Sequence, residues 1–379
     1  MKVHWLIPLT CDDTFQFTSK NELARAYREL GHEITTTVAY VNKRTRMDGF
    51  SDVEYVYTPH GSINKKIALH WRMLKSTWTT DADVVMFGFT AAHLLPFAWG
   101  MQKVMRKKKT VKKFIMDIRT IPVDIAPGFA GWLNLSRFNL ALWLADCFCD
   151  GLTVITPMLK NKVRPKVKKL RQNIGIWNSG VNLNHFKREG INRRKELGLD
   201  GKIVLLYHGV LSPNRGLQNV LGALNILRND CPDLLFMIIG EGPGRSELEE
   251  ITKRLDLTKK VRFFGKIPYS EVPAYVRSAN MAILPFPNIE WWAVSSPLKL
   301  MEYLAAGIPI IATDIEAHRL VINQTGGAHL AQNETPEALA AAILHVMNND
   351  IAPVAVEKLQ HTISWTIQAQ QLHKYLLQL

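Results

Sequence analysis

Short apolar runs alternate with longer segments of helical spacing along nearly the whole chain. The apolar runs lie near residues 2–8, 34–41, 53–58, 82–89, 112–118 and 151–156 in the first half, and near 203–208, 234–240, 261–264, 281–286 and 308–313 in the second. Strands buried on both faces of a parallel sheet have such continuous apolar runs, and helices connect them. The pattern therefore predicts the α/β class, with two doubly wound domains.

The predicted boundary between the domains lies in the segment 175–180, which is polar and has a glycine at each end. We therefore assign 1–175 to a first domain and 176–360 to a second. The chain has 379 residues, of which 47% are hydrophobic, so each domain can have a core of its own.

The segment 295–313 predicts a short helix that leads into the last strand of the second domain. Ser296 can cap its first turn, Pro297 suits the first helical position, and Gly307 suits a left-handed stop. The start of such a helix carries backbone amides without intrahelical partners, and these attract an anion such as phosphate.

Two charged residues, Lys299 and Glu302, follow within this helix, three residues apart. At that spacing they can line one site with a cation and a carboxylate. A nucleotide diphosphate together with a sugar hydroxyl fits such a pair. The alternative is a plain capped helix whose lysine and glutamate are solvated.

The same segment resembles the signature of the retaining glycosyltransferases of family four, which have the GT-B architecture. The residues that match the branch with the pattern Ser-x-Pro-x-Lys-x-x-Glu-Tyr are Ser295, Pro297, Lys299, Glu302 and Tyr303. The resemblance implies two Rossmann-like doubly wound domains that face each other across a cleft. The segment 361–366 resembles the family's Ser-Trp segment, which implies that a C-terminal helix, 361–379, crosses back to pack on the first domain.

The resemblance also implies a donor site in the second domain. Glu302 would hold the ribose of the nucleotide, and the amides around Ser296 to Leu298 would contact the diphosphate. The residues predicted to bind the nucleotide sugar are Gly209, Arg215, Gly240, Ser295, Ser296, Pro297, Leu298, Lys299 and Glu302.

The segments 207–216 and 239–245 resemble the family's two glycine-bearing turns. Gly209 and Gly216 would let the backbone approach a phosphate closely, and Arg215 would neutralise it through a bidentate contact. The alternative is a tight turn with a surface arginine.

The chain departs from the family pattern at two positions. Val210 stands where an arginine is usual, so Arg215 and Lys299 would carry the charge of the pyrophosphate. Val294 stands where the first glutamate of the family's pair is expected. Glu290 either replaces that glutamate or is a surface carboxylate.

The first domain resembles the family more loosely and is expected to bind the acceptor. Thr18 and Ser19 lie near the place of a missing glycine pair, where they cap the first helix or touch an acceptor. Asp117 and Arg119 lie in the segment that ends the fifth strand, at the edge where open α/β sheets bind ligands. Asp117 would accept or orient the acceptor hydroxyl and Arg119 would bind an acidic acceptor, or the two form a pair that only fixes the loop.

The formal charge of +14 and the pI near 9.6 call for an anionic partner or surface. Basic residues cluster at 106–113 and 160–171, in the same half as an apolar aromatic segment, 132–148, that is too interrupted to span a membrane. These features favour attachment to an anionic bilayer, against the alternative of a solvated basic face and a core helix. No nucleic-acid module is recognisable.

The sequence thus predicts a metal-independent, retaining glycosyltransferase with Asp117, Arg215 and Lys299 as catalytic residues. No cofactor is expected. The donor would be a nucleotide-diphosphate sugar of UDP or GDP type, and the acceptor a glycan or lipid-linked molecule of surface polysaccharide synthesis. We expect a cytoplasmic protein with reduced cysteines and no signal peptide, peripheral at the inner membrane face. The alternatives are a catalytically silent nucleotide-sugar-binding partner or a sugar-nucleotide epimerase of the same fold.

Overall fold

A computed structural model describes residues 1–10, 14–40, 53–57, 63–104, 112–121 and 129–379. The chain divides into two compact units: Met1–Gly180 with Trp365–Leu379, and Val181–Ser364. Both boundaries fall a few residues later than the sequence predicts. A short strand at Ile174–Ile176 still belongs to the first sheet, and Val181 bridges Ser364 within the second unit.

The described strands of the first unit form a seven-stranded parallel sheet in the order β3-β2-β1-β4-β5-β6-β7. The strands are β1 (Lys2–Thr10), β2 (Glu33–Tyr40), β3 (Val53–Tyr57), β4 (Val84–Gly88), β5 (Lys113–Ile118), β6 (Gly151–Val154) and β7 (Ile174–Ile176). The helices are α1 (Thr14–Glu29), α2 (Ile63–Thr79), α3 (Leu95–Val104), α4 (Phe129–Phe148) and α5 (Pro157–Val163), with 3₁₀ turns at Phe89–Leu94, Arg164–Lys166 and Lys169–Gln172.

The strand order of this sheet reverses between β1 and β4, and the helices divide between its two faces accordingly. Right-handed crossovers place α1 on one face and α2, α3 and α4, which pack side by side, on the other. The C-terminal helix, Trp365–Leu377, packs on α1 and β7. The prediction that the last helix returns to the first domain is therefore confirmed.

The second unit contains a six-stranded parallel sheet in the order β10-β9-β8-β11-β12-β13. Its strands are β8 (Ile203–His208), β9 (Leu234–Ile239), β10 (Val261–Gly265), β11 (Met281–Leu284), β12 (Ile310–Thr313) and β13 (Ala328–Ala331). Its helices are α6 (Leu217–Ile226), α7 (Arg245–Arg254), α8 (Val272–Val276), α9 (Glu290–Ala293), α10 (Leu298–Ala306), α11 (Glu316–Thr325), α12 (Pro336–Asn348) and α13 (Val356–Thr362), with 3₁₀ turns at Pro213–Arg215 and Tyr269–Glu271.

The α/β prediction is confirmed, since every predicted apolar run contains a strand. The sequence missed β7 and β13, because β7 has three residues and β13 is a half-buried edge strand that includes a histidine. Among the described helices, none has both the length and the apolar character needed to cross a membrane.

Candidate active site

Polar and glycine residues of the second unit gather where its strand order reverses, between β8 and β11. Open parallel sheets bind ligands at the carboxyl ends of their strands at such a reversal. Here β8 ends at His208, β11 ends at Leu284, and α10 begins a short distance further along the chain. The predicted donor residues therefore share one edge of one sheet.

Helix α10 begins one residue later than predicted. Pro297 is itself the N-cap, with ψ 96° and no side-chain capping bond, so the predicted cap at Ser296 is wrong. The preceding Ser295 closes a turn instead, because its hydroxyl and its backbone N–H both donate to the Trp292 carbonyl, at 2.8 and 3.1 Å. The predicted left-handed stop at Gly307 is confirmed, with φ 70°.

The side chain of Lys299 crosses directly over the backbone of Gly209. A Cβ at Gly209 would overlap Lys299 Cε and lie 2.7 Å from Nζ, and the residue has φ +130°. Likewise a Cβ at Gly240 would overlap the Gly209 carbonyl, and one at Gly216 would overlap the Pro285 carbonyl. These glycines are therefore required by contacts within the protein, in addition to any approach of a ligand.

Lys299 is an unusual cation, because only 5% of its surface is exposed. Burial lowers the pKa of Lys299 to about 7; the charge of Arg215 lowers this pKa further, while Glu302 opposes the shift. Two cations that repel each other beside the start of a helix are arranged to receive an anion.

The Arg215 guanidinium lies against two aromatic rings. Its central carbon is 4.9 Å from the ring centroid of Trp292 and 5.5 Å from that of Phe286, and these two rings stack at 4.4 Å. The Trp292 indole in turn donates to the Asn214 carbonyl at 2.8 Å. The rings hold Arg215 by cation–π contacts, and its buried Nε has no hydrogen-bond partner in the described part of the chain.

Glu302 is buried and receives hydrogen bonds at both carboxylate oxygens. His208 Nε2 lies 2.8 Å from Oε2, and the Tyr269 hydroxyl donates to Oε1 at 3.1 Å. The Tyr303 hydroxyl accepts the His208 backbone N–H at 3.1 Å and lies 2.9 Å from Nδ1. A carboxylate only accepts, so His208 Nε2 carries a proton and donates it to Glu302.

Burial alone would raise the pKa of Glu302. The hydrogen bond and charge of His208, together with the charge of Lys299, outweigh burial and hold this pKa below its usual value. Glu302 is therefore an ionised group in a preorganised network. Its role toward a ribose stays a prediction, for which each oxygen retains a further lone pair.

The two family departures lie beside this site. Val294 is buried in the turn that follows α9, whereas Glu290 begins α9 and is exposed. Val210 is exposed, and its carbonyl accepts a hydrogen bond from the Tyr207 hydroxyl at 3.1 Å.

In the first unit, a cavity of about 220 Å³ lies where the order of its sheet reverses. It is lined by the middle of β1, the end of β4 and the end of β5, and both Asp117 and Arg119 contribute to it. The Thr153 hydroxyl donates to Asp117 Oδ1 at 2.7 Å, and Arg119 Nη1 donates to the Trp177 carbonyl at 2.7 Å. The predicted acceptor residues thus do share one cavity.

Burial dominates the electrostatics of this cavity. It raises the pKa of Asp117 although Arg119 and the Thr153 hydroxyl oppose the shift, and it lowers the pKa of Arg119 to about 10. Trp5 also lines the cavity, and its buried indole nitrogen has no partner among the described residues.

The other two predicted acceptor residues belong to the first helix. Thr18 and Ser19 are inside α1, which begins at Thr14, so the preferred prediction that they cap this helix is wrong. Lys20, one residue further, lines the cavity instead. Residues 106–109 of the first basic cluster lie outside the described residues.

Sequence reasoning missed His208, Tyr269, Trp5 and the ring pair behind Arg215. Only His208 had a usable signal, since it is the last residue of a predicted strand, immediately before a glycine turn. The others come from distant parts of the chain.

The residues 190–364 match the family model described as Glycosyl transferases group 1. Over 178 residues the chain is 27% identical to a phosphatidyl-myo-inositol mannosyltransferase of Mycolicibacterium smegmatis, a match that covers 46% of this chain and 44% of that protein. Over 201 residues it is 28% identical to the putative colanic acid biosynthesis glycosyl transferase WcaI of Escherichia coli, with coverage of 51% and 48%. The chain thus spans less than half the length of these curated relatives.

Solved structures resemble the whole chain. HepE of Anabaena, in complex with UDP and glucose, has a TM-score of 0.75 at 15% identity, with 100% of both chains covered. Sucrose-phosphate synthase of Thermosynechococcus elongatus has a TM-score of 0.74 at 15% identity, with 100% of this chain and 99% of that chain covered. At this identity the likeness shows the fold, which is GT-B. Residues 190–364 therefore resemble the glycosyl transferases group 1 family, within a chain of GT-B fold.

Proposed function

We propose that this protein is a metal-independent, retaining glycosyltransferase that transfers a sugar from a UDP- or GDP-sugar. The observation that carries the proposal is the pair Lys299 and Arg215, two cations close enough that one lowers the pKa of the other, beside the start of α10. A diphosphate would relieve their repulsion and accept hydrogen bonds from the backbone amides at the start of the helix.

In this proposal the second unit holds the donor and stabilises its departing diphosphate. Negative charge grows on the leaving phosphate in the transition state, and Lys299 and Arg215 supply preorganised positive charge there. Glu302 would bind ribose hydroxyls through its remaining lone pairs, since His208 and Tyr269 already fix its orientation.

The first unit would hold the acceptor in the cavity of Asp117 and Arg119. The raised pKa of Asp117 suits a group that accepts a proton from, or orients, an attacking hydroxyl. Arg119 would bind an acidic part of the acceptor. We propose a glycan or lipid-linked acceptor of surface polysaccharide synthesis, in line with the mannosyltransferase and colanic acid relatives.

We further propose that the first unit attaches peripherally to the inner face of a membrane. Large apolar side chains are exposed on α2, α3 and α4, among them Trp132 at 61% and Trp143 at 58%. The net charge of +14 would draw this surface to anionic lipid, with each basic residue near the membrane contributing about 1 kcal/mol.

The test begins with thermal unfolding in the presence of UDP, GDP and ADP. The matching nucleotide should stabilise the protein by about 2.7 kcal/mol at 100 times its dissociation constant. Lys299→Ala should abolish this gain, whereas the matched control Lys253→Ala, at the exposed end of α7, should keep it. Absence of stabilisation by every nucleotide would contradict the donor site.

Turnover then separates the enzyme from its alternatives. Labelled donor sugars with membrane extracts as acceptor should give a glycosylated product in the presence of EDTA, and the anomeric configuration of the product should equal that of the donor. Nucleotide binding without product would favour a silent nucleotide-sugar-binding partner. Conversion of the donor sugar without an acceptor would favour an epimerase.

A further inference from the structure

A second pocket of the first unit lies apart from the residues assigned above. It has a volume of about 770 Å³ and opens between α2, the 3₁₀ turn Phe89–Leu94 and α4. This volume is within the range of about 300–1,000 Å³ that is typical of small-molecule sites. Its wall is mainly apolar, with Ala92, Ala141 and Leu144 among the lining residues.

The ionisable side chains that line this pocket are one arginine and two histidines. Arg137, His70 and His93 line it, the two imidazole rings lie 4.7 Å apart, and the described lining includes no carboxylate. The flanking helices α2 and α3 contain no acidic residue. The one acidic residue of α4, Asp146, accepts hydrogen bonds from backbone N–H groups at 2.9 and 3.0 Å.

Exposed apolar side chains surround the pocket on the same helical layer. Trp71 on α2 and Phe97 on α3 are exposed, as are Trp132 and Trp143 on α4. Apolar residues thus lie all round α4, which is typical of a helix that is either buried or in contact with lipid. An exposed apolar patch of this kind marks an interaction surface.

The pocket also adjoins the predicted acceptor cavity. Phe89 and Thr90 line both, so one wall separates the 770 Å³ pocket from the 220 Å³ cavity that contains Asp117 and Arg119. A ligand that occupies the larger pocket therefore has its polar end within reach of the smaller one.

We propose that the pocket binds the hydrocarbon tail of a phosphate-bearing lipid, with the phosphate held by Arg137 and the two histidines. The apolar wall suits the tail, and the basic side chains of the described lining suit an anion but not a cation. This inference rests on the proposed function, because it identifies the acceptor as a lipid whose sugar or hydroxyl end lies toward Asp117.

Binding of soluble probes tests the proposal without any turnover. Calorimetry with hexyl, octyl and decyl phosphate, each below its micelle concentration, should give an affinity that rises about fourfold per added methylene. Inorganic phosphate should bind far more weakly than decyl phosphate, and decyltrimethylammonium should not bind. Equal affinity for the three alkyl phosphates would overturn the proposal, because a surface arginine alone would produce it.

Variants locate the binding. Ala141→Leu fills the pocket and should lower decyl phosphate affinity at least tenfold, and Arg137→Gln, at an exposed position that does not endanger folding, should lower it about tenfold. The matched control Trp132→Ser lies on the same helix outside the lining and should keep the affinity for the soluble probe. Unchanged affinity in folded Ala141→Leu and in Arg137→Gln would overturn the assignment.

Two further comparisons complete the design. Comparison of farnesyl phosphate with decyl phosphate distinguishes an isoprenyl tail from a straight alkyl tail. If the protein binds neither compound, the proposal is contradicted. UDP stabilisation measured on the same samples keeps the two proposals separate. If the protein binds UDP but no alkyl phosphate, the proposed donor site stands and the proposed lipid site is refuted. If it binds alkyl phosphates but not UDP, the lipid site stands and the donor site is refuted.

Discussion

Substituting Gly209 by alanine tests whether the glycine turn after β8 serves to place Lys299. The added Cβ would overlap Lys299 Cε in a backbone conformation, φ +130°, that side chains rarely adopt. The backbone cost is about 1–3 kcal/mol of unfolding free energy. The steric conflict is relieved by moving the flexible lysine stem, which displaces its ammonium group from its place beside Gly209.

The functional loss can be sized from the contact that is broken. A hydrogen bond from a charged group to a phosphate is worth about 1.5–3 kcal/mol, so UDP should bind roughly tenfold to more than a hundredfold more weakly to Gly209→Ala. The control is Gly198→Ala, because Gly198 also has a positive φ, +58°, but nothing lies within 4 Å of its added Cβ. It should lose a comparable stability and no nucleotide affinity.

A double-mutant cycle with Lys299→Ala supplies the decisive measurement. If the glycine acts through the lysine, Gly209→Ala should add little to the loss of UDP affinity that Lys299→Ala already causes. Urea unfolding and calorimetry with UDP on the four proteins give the two free energies. Fully additive losses, or wild-type UDP affinity in folded Gly209→Ala, would refute the reasoning.

Three other outcomes are expected. Because burial lowers the pKa of Lys299 to about 7, UDP affinity should fall as the pH rises through 7. Calorimetry at pH 8 should detect the uptake of a proton when UDP binds, and Lys299→Met should abolish this uptake. Glu302→Ala removes the carboxylate that accepts from His208 Nε2 and the Tyr269 hydroxyl, and it should cost about 1–3 kcal/mol of unfolding free energy. If Glu302→Gln has the UDP dissociation constant of the wild type, the carboxylate is not part of the nucleotide site. Burial lowers the pKa of His318 to about 4, below its value in the unfolded chain. The contribution of His318 to the unfolding free energy should therefore fall by about 2 kcal/mol as the pH falls from 7 to 5. Urea unfolding of His318→Phe at the two pH values should lack this decrease.

Local pattern was enough to predict most of the framework. The apolar runs predicted the strands, and the helix that ends at Gly307 was placed to within a residue at its start, because these features depend on spacing between neighbours in the chain. The same locality explains the errors. The N-cap of α10 is Pro297 and not the predicted Ser296. The short strand β7 overlaps the segment that was predicted to be a linker.

The sequence by itself determined the α/β class, the motif around Lys299 and Glu302, and the excess of positive charge. Only the tertiary structure decided that Glu302 is held by His208, 94 residues away, and that Gly209 makes room for the side chain of Lys299. It also decided that α2 and α4 line an apolar pocket that includes Arg137 and two histidines, beside the cavity of Asp117. Periodicity reports which face of an element is apolar, whereas burial, pKa shifts and cavities arise from pairs of residues that folding brings together over long separations in the chain.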